Sequence, residues 1–236
     1  MNRQFRTAFG RLALVGLLLS TVIAGRAAGP ATGFNGPQAG SASAGANNSL
    51  TPAEAAAGWK LLFDGQTLSG WKPSGTADWK VTDGAITFST GRGTVTTEQQ
   101  FSNFELRLEF WAEKNANSGV FVRSSPKGNG NVFYEINIFD PHQTAPTGSI
   151  LKVDPPIPPV VVHSVLPDRP DTAEKWNNYE IIADGMHLVV KLNGKTMTDI
   201  QEDQLKLVSG TIQLQAGGPD GPGMARFRNI RIRPLK

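Results

Sequence analysis

The sequence predicts an all-β fold, a single-domain antiparallel β-sandwich, on three observations. About a dozen short runs carry the period-two alternation of half-buried strands. Asp-Gly and Asn-Gly pairs, which supply the positive φ angles of tight hairpins, stand between several of them. No segment of convincing length carries a helical period, which leaves sheet packed on sheet as the architecture.

The N-terminal segments are set apart by composition. Arg3, Arg6 and Arg11 precede the apolar run Leu12–Ala24, with small residues at Gly25, Ala27 and Ala28. That order makes residues 1–27 a secretory signal peptide. The apolar run falls short of the roughly 20 residues of a membrane span. A secreted or periplasmic protein with no span after cleavage is therefore expected. Residues 28–53, rich in Gly, Ala, Ser and Pro, read as a flexible linker. The folded domain is assigned to 54–236.

The chain has no cysteine, which excludes disulfides, a lipid-bearing Cys and thiolate metal sites. The formal charge of +3 falls to −1 without residues 1–27, which hold four arginines and no acid. The basic balance belongs to the signal, and no nucleic-acid partner is expected.

The elements follow in order. Thr51-Pro52-Ala53-Glu54 opens one helical turn, with Thr51 as cap and Glu54 closing a capping box. Trp59–Phe63, Leu68–Trp71, Trp79–Val81 and Ala85–Phe88 are short strands punctuated by Asp64-Gly65 and Asp83-Gly84. Gly91–Thr97, Phe104–Trp111, Val120–Arg123 and Phe133–Phe139 come next, then Tyr179–Ala183. Leu188–Leu192 and Lys195–Ile200 form a hairpin through Asn193-Gly194. A short turn is expected at Leu205–Val208, and Thr211–Gln215 and Phe227–Ile232 are the last strands. Phe227 and Ile230 have opposite parity, which calls for a bulge or burial on both sides. Asp140–Pro170 holds eight prolines. It reads as a functional loop or lid over the Phe133–Phe139 strand, or as a stiffened connection shielding a sheet edge.

Parity across strands assembles a candidate site. If Val120, Val122, Ile136 and Ile138 face the core, then Arg123, Glu135 and Asn137 share the other face with Phe121. In Phe104–Trp111 the polar face carries Arg107, Glu109 and Trp111; in Thr211–Gln215 it carries Gln215. If all these strands share one sheet, its outer face holds two arginines, two carboxylates, two amides and two aromatic rings. Cross-strand ion pairing alone explains the charges, and on spacing alone that reading stands slightly ahead. The rings tilt the reading toward a carbohydrate groove, since a sugar offers a polar edge and an apolar face. His142, at the groove's rim, is a candidate for acid–base or metal contact. The three histidines lack zinc spacing, no nucleophile elbow occurs, and the glycine-rich stretches lack nucleotide-binding spacing.

In order along the chain stand GWKLLFDGQTLSGWK, WKVTDGAI, FSNFELRLEFW, NSGVFVRSS, YEINIFD, KWNNYEIIADG and FRNIRIRPL. This series, from about Gly58 to Leu235, resembles the 3-keto-disaccharide hydrolase family. The resemblance implies a concanavalin-A-like jelly roll and cleavage of glycosides whose glucose C3 is a ketone. The ketone acidifies the C2 hydrogen, so a base forms an enolate, the C1 substituent is eliminated, and water adds to the enone. Under that resemblance Glu135 is the base and Arg123 stabilises the enolate. Glu109 or His142 protonates the leaving oxygen, and Asn137 and Gln215 orient hydroxyls. Arg107, Trp111 and Phe121 complete the sugar contacts. The sequence assigns no cofactor, and a divalent metal held by Glu and His is an alternative electrophile to Arg123. Two departures stand out. Ala216 and Gly217 occupy the place where family members often carry a His, with His163 a candidate replacement. GSILKVDPPIPPVVVHSVLP replaces the commoner Gly-Ala-Leu/Ile-Tyr pattern. A non-catalytic, lectin-like carbohydrate-binding module is the rival reading, and a structural adhesion domain a third.

Overall fold

The computed structural model describes residues 46–127, 130–203, 207–217 and 223–236. The signal peptide, most of the linker and the first part of the Leu205–Val208 turn lie outside the described residues. In chain order the elements are α1 (Pro52–Ala56), β1 (Lys60–Leu61), β2 (Trp71–Gly75), β3 (Lys80–Thr82), β4 (Ala85–Phe88) and β5 (Gly93–Phe101). There follow β6 (Phe104–Ala112), β7 (Ser118–Lys127), β8 (Gly130–Ile138), β9 (Ile150–Asp154) and β10 (Ile157–His163). The last are β11 (Asn177–Asp184), β12 (His187–Leu192), β13 (Lys195–Gln201), β14 (Gly210–Ala216) and β15 (Ala225–Pro234).

These strands form two antiparallel sheets, as expected. One runs β13-β12-β11-β6-β15-β4-β3, with β1 also paired to β15, and the other runs β10-β9-β8-β7-β14-β5-β2. The core lies between them. Phe104, Leu106, Leu108 and Phe110 of β6 meet Val120, Val122, Tyr134, Ile136, Ile138, Ile212 and Leu214 from the facing sheet, all nearly or fully buried. Alternation decides the arrangement, because a slip of one residue would turn each apolar set outward.

Local signals set the corners. Asp83 and Gly84 (φ 51° and 70°) and Asn193 and Gly194 (φ 50° and 81°) take the left-handed backbone of tight hairpins. Thr51 and Glu54 form the expected capping box. The opposite parity of Phe227 and Ile230 resolves as a register shift between Arg228 and Arg231, with Asn229 at φ 54°. Ahead of α1, Asn48 exchanges hydrogen bonds with Asn229 and donates to the Gly84 carbonyl, which ties residue 48 to the β4 and β15 turns.

One expectation about layers fails. β6 belongs to the eight-stranded sheet, paired with β11 and β15, whereas β7, β8 and β14 belong to the other. The chain crosses between sheets after Ala112, so the polar face of β6 and that of β8 look out from opposite sides of the sandwich. Sheets stack about 10 Å apart. Arg107, Glu109 and Trp111 therefore cannot share a groove with Glu135.

Candidate active site

A cavity of about 380 Å³ opens on the outer face of the seven-stranded sheet, lined by Asn117, Glu135, Asn137, His142, Thr144, Leu151, Pro159, Val161 and Gln215. That volume lies within the range of small-molecule sites. Four of the expected residues meet here: Glu135, Asn137, His142 and Gln215.

Register explains the meeting. Glu135 on β8 stands opposite Phe121 on β7 and Leu151 on β9, and Asn137 stands opposite Gly119. Directly opposite residues project to the same face, so Glu135 has a Phe on one side and a Leu on the other. Gly119 makes the geometry possible: a β-carbon there would lie 2.9 Å from Glu135 Oε1 and 3.2 Å from its Cγ. A glycine inside a strand often marks such a close approach.

Electrostatically, Glu135 is the distinctive group. It is 9% exposed, and burial raises its pKa from the usual 4.5 to about 7. Desolvation disfavours the carboxylate and no cation among the described residues counteracts it, so the acid and its base form coexist near neutral pH.

The amides and the imidazole are held from behind. Asn137 Nδ2 donates to the Ala145 carbonyl at 2.5 Å, and its backbone carbonyl accepts from the Tyr179 hydroxyl at 2.7 Å. Gln215 Oε1 is buried without a hydrogen-bond partner among the described residues. It is an acceptor in want of a hydroxyl. His142 Nδ1 accepts from the backbone amides of Ala145 at 3.0 Å and Thr144 at 3.3 Å. Two donors on Nδ1 fix the neutral tautomer with its proton on Nε2. Arg169 Nη1 donates to the carbonyls of Asp140 and His142, anchoring the segment that carries the ring.

The other expected site residues sit elsewhere. Arg123 is fully buried at φ 52°, where β7 and β8 shift register between Val122 and Ser125. That irregularity breaks the period and turns its side chain to the end of the sandwich. There the guanidinium donates to the carbonyls of Ser102, Gly185 and Leu207 and to Asn103 Oδ1. It clamps three turns and is not among the residues lining the cavity. Glu109 accepts from Arg228 Nε at 2.7 Å and Asn229 Nδ2 at 2.8 Å on the opposite sheet. Arg107 pairs with Glu105 at 2.7 Å and lies over Trp59, and Arg226 lies over Trp111. The cross-strand ion-pair reading is the correct one for that face. Phe121 is Glu135's neighbour, but it is 5% exposed and stacked on Phe133 at 4.1 Å. Its contribution is to keep water from the carboxyl. His163, at the end of β10, is not among the residues lining the cavity.

The proline-rich segment differs from a loop. It contains the hairpin β9–β10, which extends the sheet beyond β8 and contributes Leu151, Pro159 and Val161 to the cavity. The β-branched run Val160–Val162 was the available signal for a strand, masked by the prolines around it. Asn117 and Thr144 were also missed, although Asn117 begins the NSGVFVR segment.

The donor set does not suit a metal. Among the described residues no group of three His, Cys, Asp or Glu could hold one. In the cavity a metal would have Glu135 and His142, and His142 could bind through Nε2 only by moving its proton toward the two amides that Nδ1 already faces.

Comparison with known proteins agrees with the sandwich fold. A family model described as a 3-keto-alpha-glucoside-1,2-lyase-like domain matches residues 58–233. A 3-keto-disaccharide hydrolase of Bacteroides thetaiotaomicron is 31% identical over a match covering 36% of this chain and 35% of that protein. The chain thus spans about a third of that relative's length. Among solved structures, a "putative glycosyl hydrolase" from Parabacteroides distasonis superposes with a TM-score of 0.62 at 20% identity, covering 80% of this chain and 100% of that one. A carbohydrate-binding module of Bacillus subtilis superposes with a TM-score of 0.52 at 13% identity, covering 70% and 95%. At these identities the structures speak for the sandwich fold alone, and the family match speaks for descent. The chain belongs to the family of 3-keto-alpha-glucoside-1,2-lyase-like domains.

Proposed function

We propose that this protein cleaves the glycosidic bond of 3-keto-glucosides by elimination at C1 and C2, followed by hydration. The observation that carries the reading is Glu135, a carboxyl raised to about 7 by burial, with its unprotonated form available at neutral pH beside a polar cavity. Such a group suits removal of a proton made acidic by a neighbouring ketone. Glu135 takes the C2 hydrogen, and the electron pair flows to the C3 oxygen as an enolate. The enolate re-forms the ketone as the C1–O bond breaks, and the leaving oxygen takes the proton that Glu135 holds. Water then adds at C1 of the enone while C2 is reprotonated, giving net hydrolysis.

His142 takes the part first assigned to Arg123. With Nδ1 occupied by backbone donors, Nε2–H is a fixed hydrogen-bond donor for the developing enolate oxygen, and a neutral imidazole does this without yielding its proton. Asn137 and Gln215 hold sugar hydroxyls. The site of action is outside the cytoplasm, as residues 1–27 imply.

The test is incubation with 3-keto-glucosides and their unoxidised parents while following the released aglycone. Release from the keto compounds alone is expected. Saturable binding without release would replace the enzyme with the lectin-like module.

A further inference from the structure

The walls of the Glu135 cavity are unlike one another. Asn117, Asn137 and Gln215 come from the region of β7, β8 and β14, Leu151, Pro159 and Val161 from β9 and β10, and His142 and Thr144 from the segment between β8 and β9. Glu135, Leu151 and Val161 are successive register partners across β8, β9 and β10, so one row passes from the carboxyl onto an apolar shelf. The shelf reaches solvent on the edge strand, where Val161 is 37% exposed. Edge strands are normally blunted with charge or proline. Pro158 and Pro159 block pairing here, yet Val160 and Val161 stay apolar and open to solvent. Exposed apolar surface continuous with a binding cavity marks a place for an apolar part of the ligand.

We propose that the β9–β10 hairpin forms the leaving-group subsite, and that Leu151, Pro159 and Val161 select keto-glucosides whose aglycone is an apolar ring, an aryl group above all, over keto-disaccharides. This rests on the elimination reading of Glu135. The sugar ring that carries the ketone finds its hydroxyl partners on the amide side. A second sugar against the shelf would lose water from its hydroxyls and meet Leu, Pro and Val side chains that cannot hydrogen-bond. An aryl ring there gains burial and loses nothing. The proline-rich sequence that departs from the commoner family pattern is thereby a specificity element.

The experiment compares kcat/KM for an aryl 3-keto-glucoside and for a 3-keto-disaccharide, in the wild type and in Val161→Asn and Pro159→Ser. Both substitutions are at the solvent-facing edge, and circular dichroism would verify folding. The wild type is expected to favour the aryl substrate roughly 10-fold or more, and the substitutions to lower the aryl-to-disaccharide ratio by a similar factor. Turnover of both substrates with no preference, or a preference untouched by either substitution, overturns the proposal and leaves the elimination reading standing. If neither substrate turns over, the elimination reading fails. Calorimetric binding then decides the subsite: tighter binding of the aryl compound that Val161→Asn weakens upholds it, and equal binding overturns it.

Discussion

The two outer faces of the sandwich carry cavities of nearly equal volume, about 370 Å³ on the eight-stranded sheet and about 380 Å³ on the seven-stranded one. They treat their carboxylates in opposite ways. On the first, Glu105 pairs with Arg107 and Arg233, Glu109 with Arg228, and Glu54 with Arg231, with Arg side chains also lying over Trp59, Trp111 and Trp176. On the second, Glu135 has Phe121, Leu151 and a bare Gly119 for neighbours. A carboxylate already bound by arginine has no reason to take a proton from a substrate. One held in apolar surroundings is poised to exchange it. Volume does not distinguish a site from a salt-bridged surface here; the state of the charge does.

Breaking that contrast at its centre should have the largest effect. Glu135→Gln is expected to lower turnover of a 3-keto-glucoside roughly 10³-fold. It should also stabilise the fold in a pH-dependent way. The pKa of Glu135 is higher folded (about 7) than unfolded (near 4.5), so the folded state binds the proton more tightly. Wild-type stability therefore falls as pH rises from about 4.5 to about 7, and the Gln variant escapes that loss. Urea melts should show a gain on the order of 3 kcal/mol above pH 7, vanishing near pH 4.

Arg123→Met comes next, and it separates clamp from electrophile. Four acceptors lose their donor, so a stability loss of about 3 kcal/mol is expected. Turnover per folded molecule should stay close to wild type; a collapse of kcat at temperatures where the variant remains folded would return Arg123 to the chemistry. For His142→Ala a fall in kcat of roughly 10²-fold is expected, with little change in KM. The smallest effect belongs to the other face. Glu109→Gln should leave kcat/KM within about twofold and cost about 1 kcal/mol in thermal melts, as a partly exposed ion pair would.

Most of the fold was legible because alternation and turn chemistry are local. Asp83-Gly84, Asn193-Gly194 and the clean alternation of Phe104–Trp111 each identify an element without reference to anything distant. Sheet membership is not local. Nothing in FELRLEFW says whether it pairs with NSGVFVR or with KWNNYEII, and that one ambiguity moved Arg107, Glu109 and Trp111 to the wrong side. Arg123 failed for a related reason: a register shift at Val122–Ser125 breaks the parity on which its placement depended. Glu135, Asn137 and Gln215 survived because their strands are neighbours or next neighbours with regular pairing around them. The hairpin was hidden because proline argues against a strand, and only at a sheet edge can a strand hold two prolines in succession.

The central claim, that Glu135 removes the C2 hydrogen of a 3-keto-glucoside, is tested most directly by cleavage in D₂O, with mass spectrometry of the released keto-sugar. The wild type should place deuterium at C2 as fast as it releases aglycone, well ahead of exchange in enzyme-free product, and Glu135→Gln should do neither. Aglycone released at the wild-type rate with the C2 hydrogen retained, or by the Gln variant as readily as by the wild type, would contradict the account.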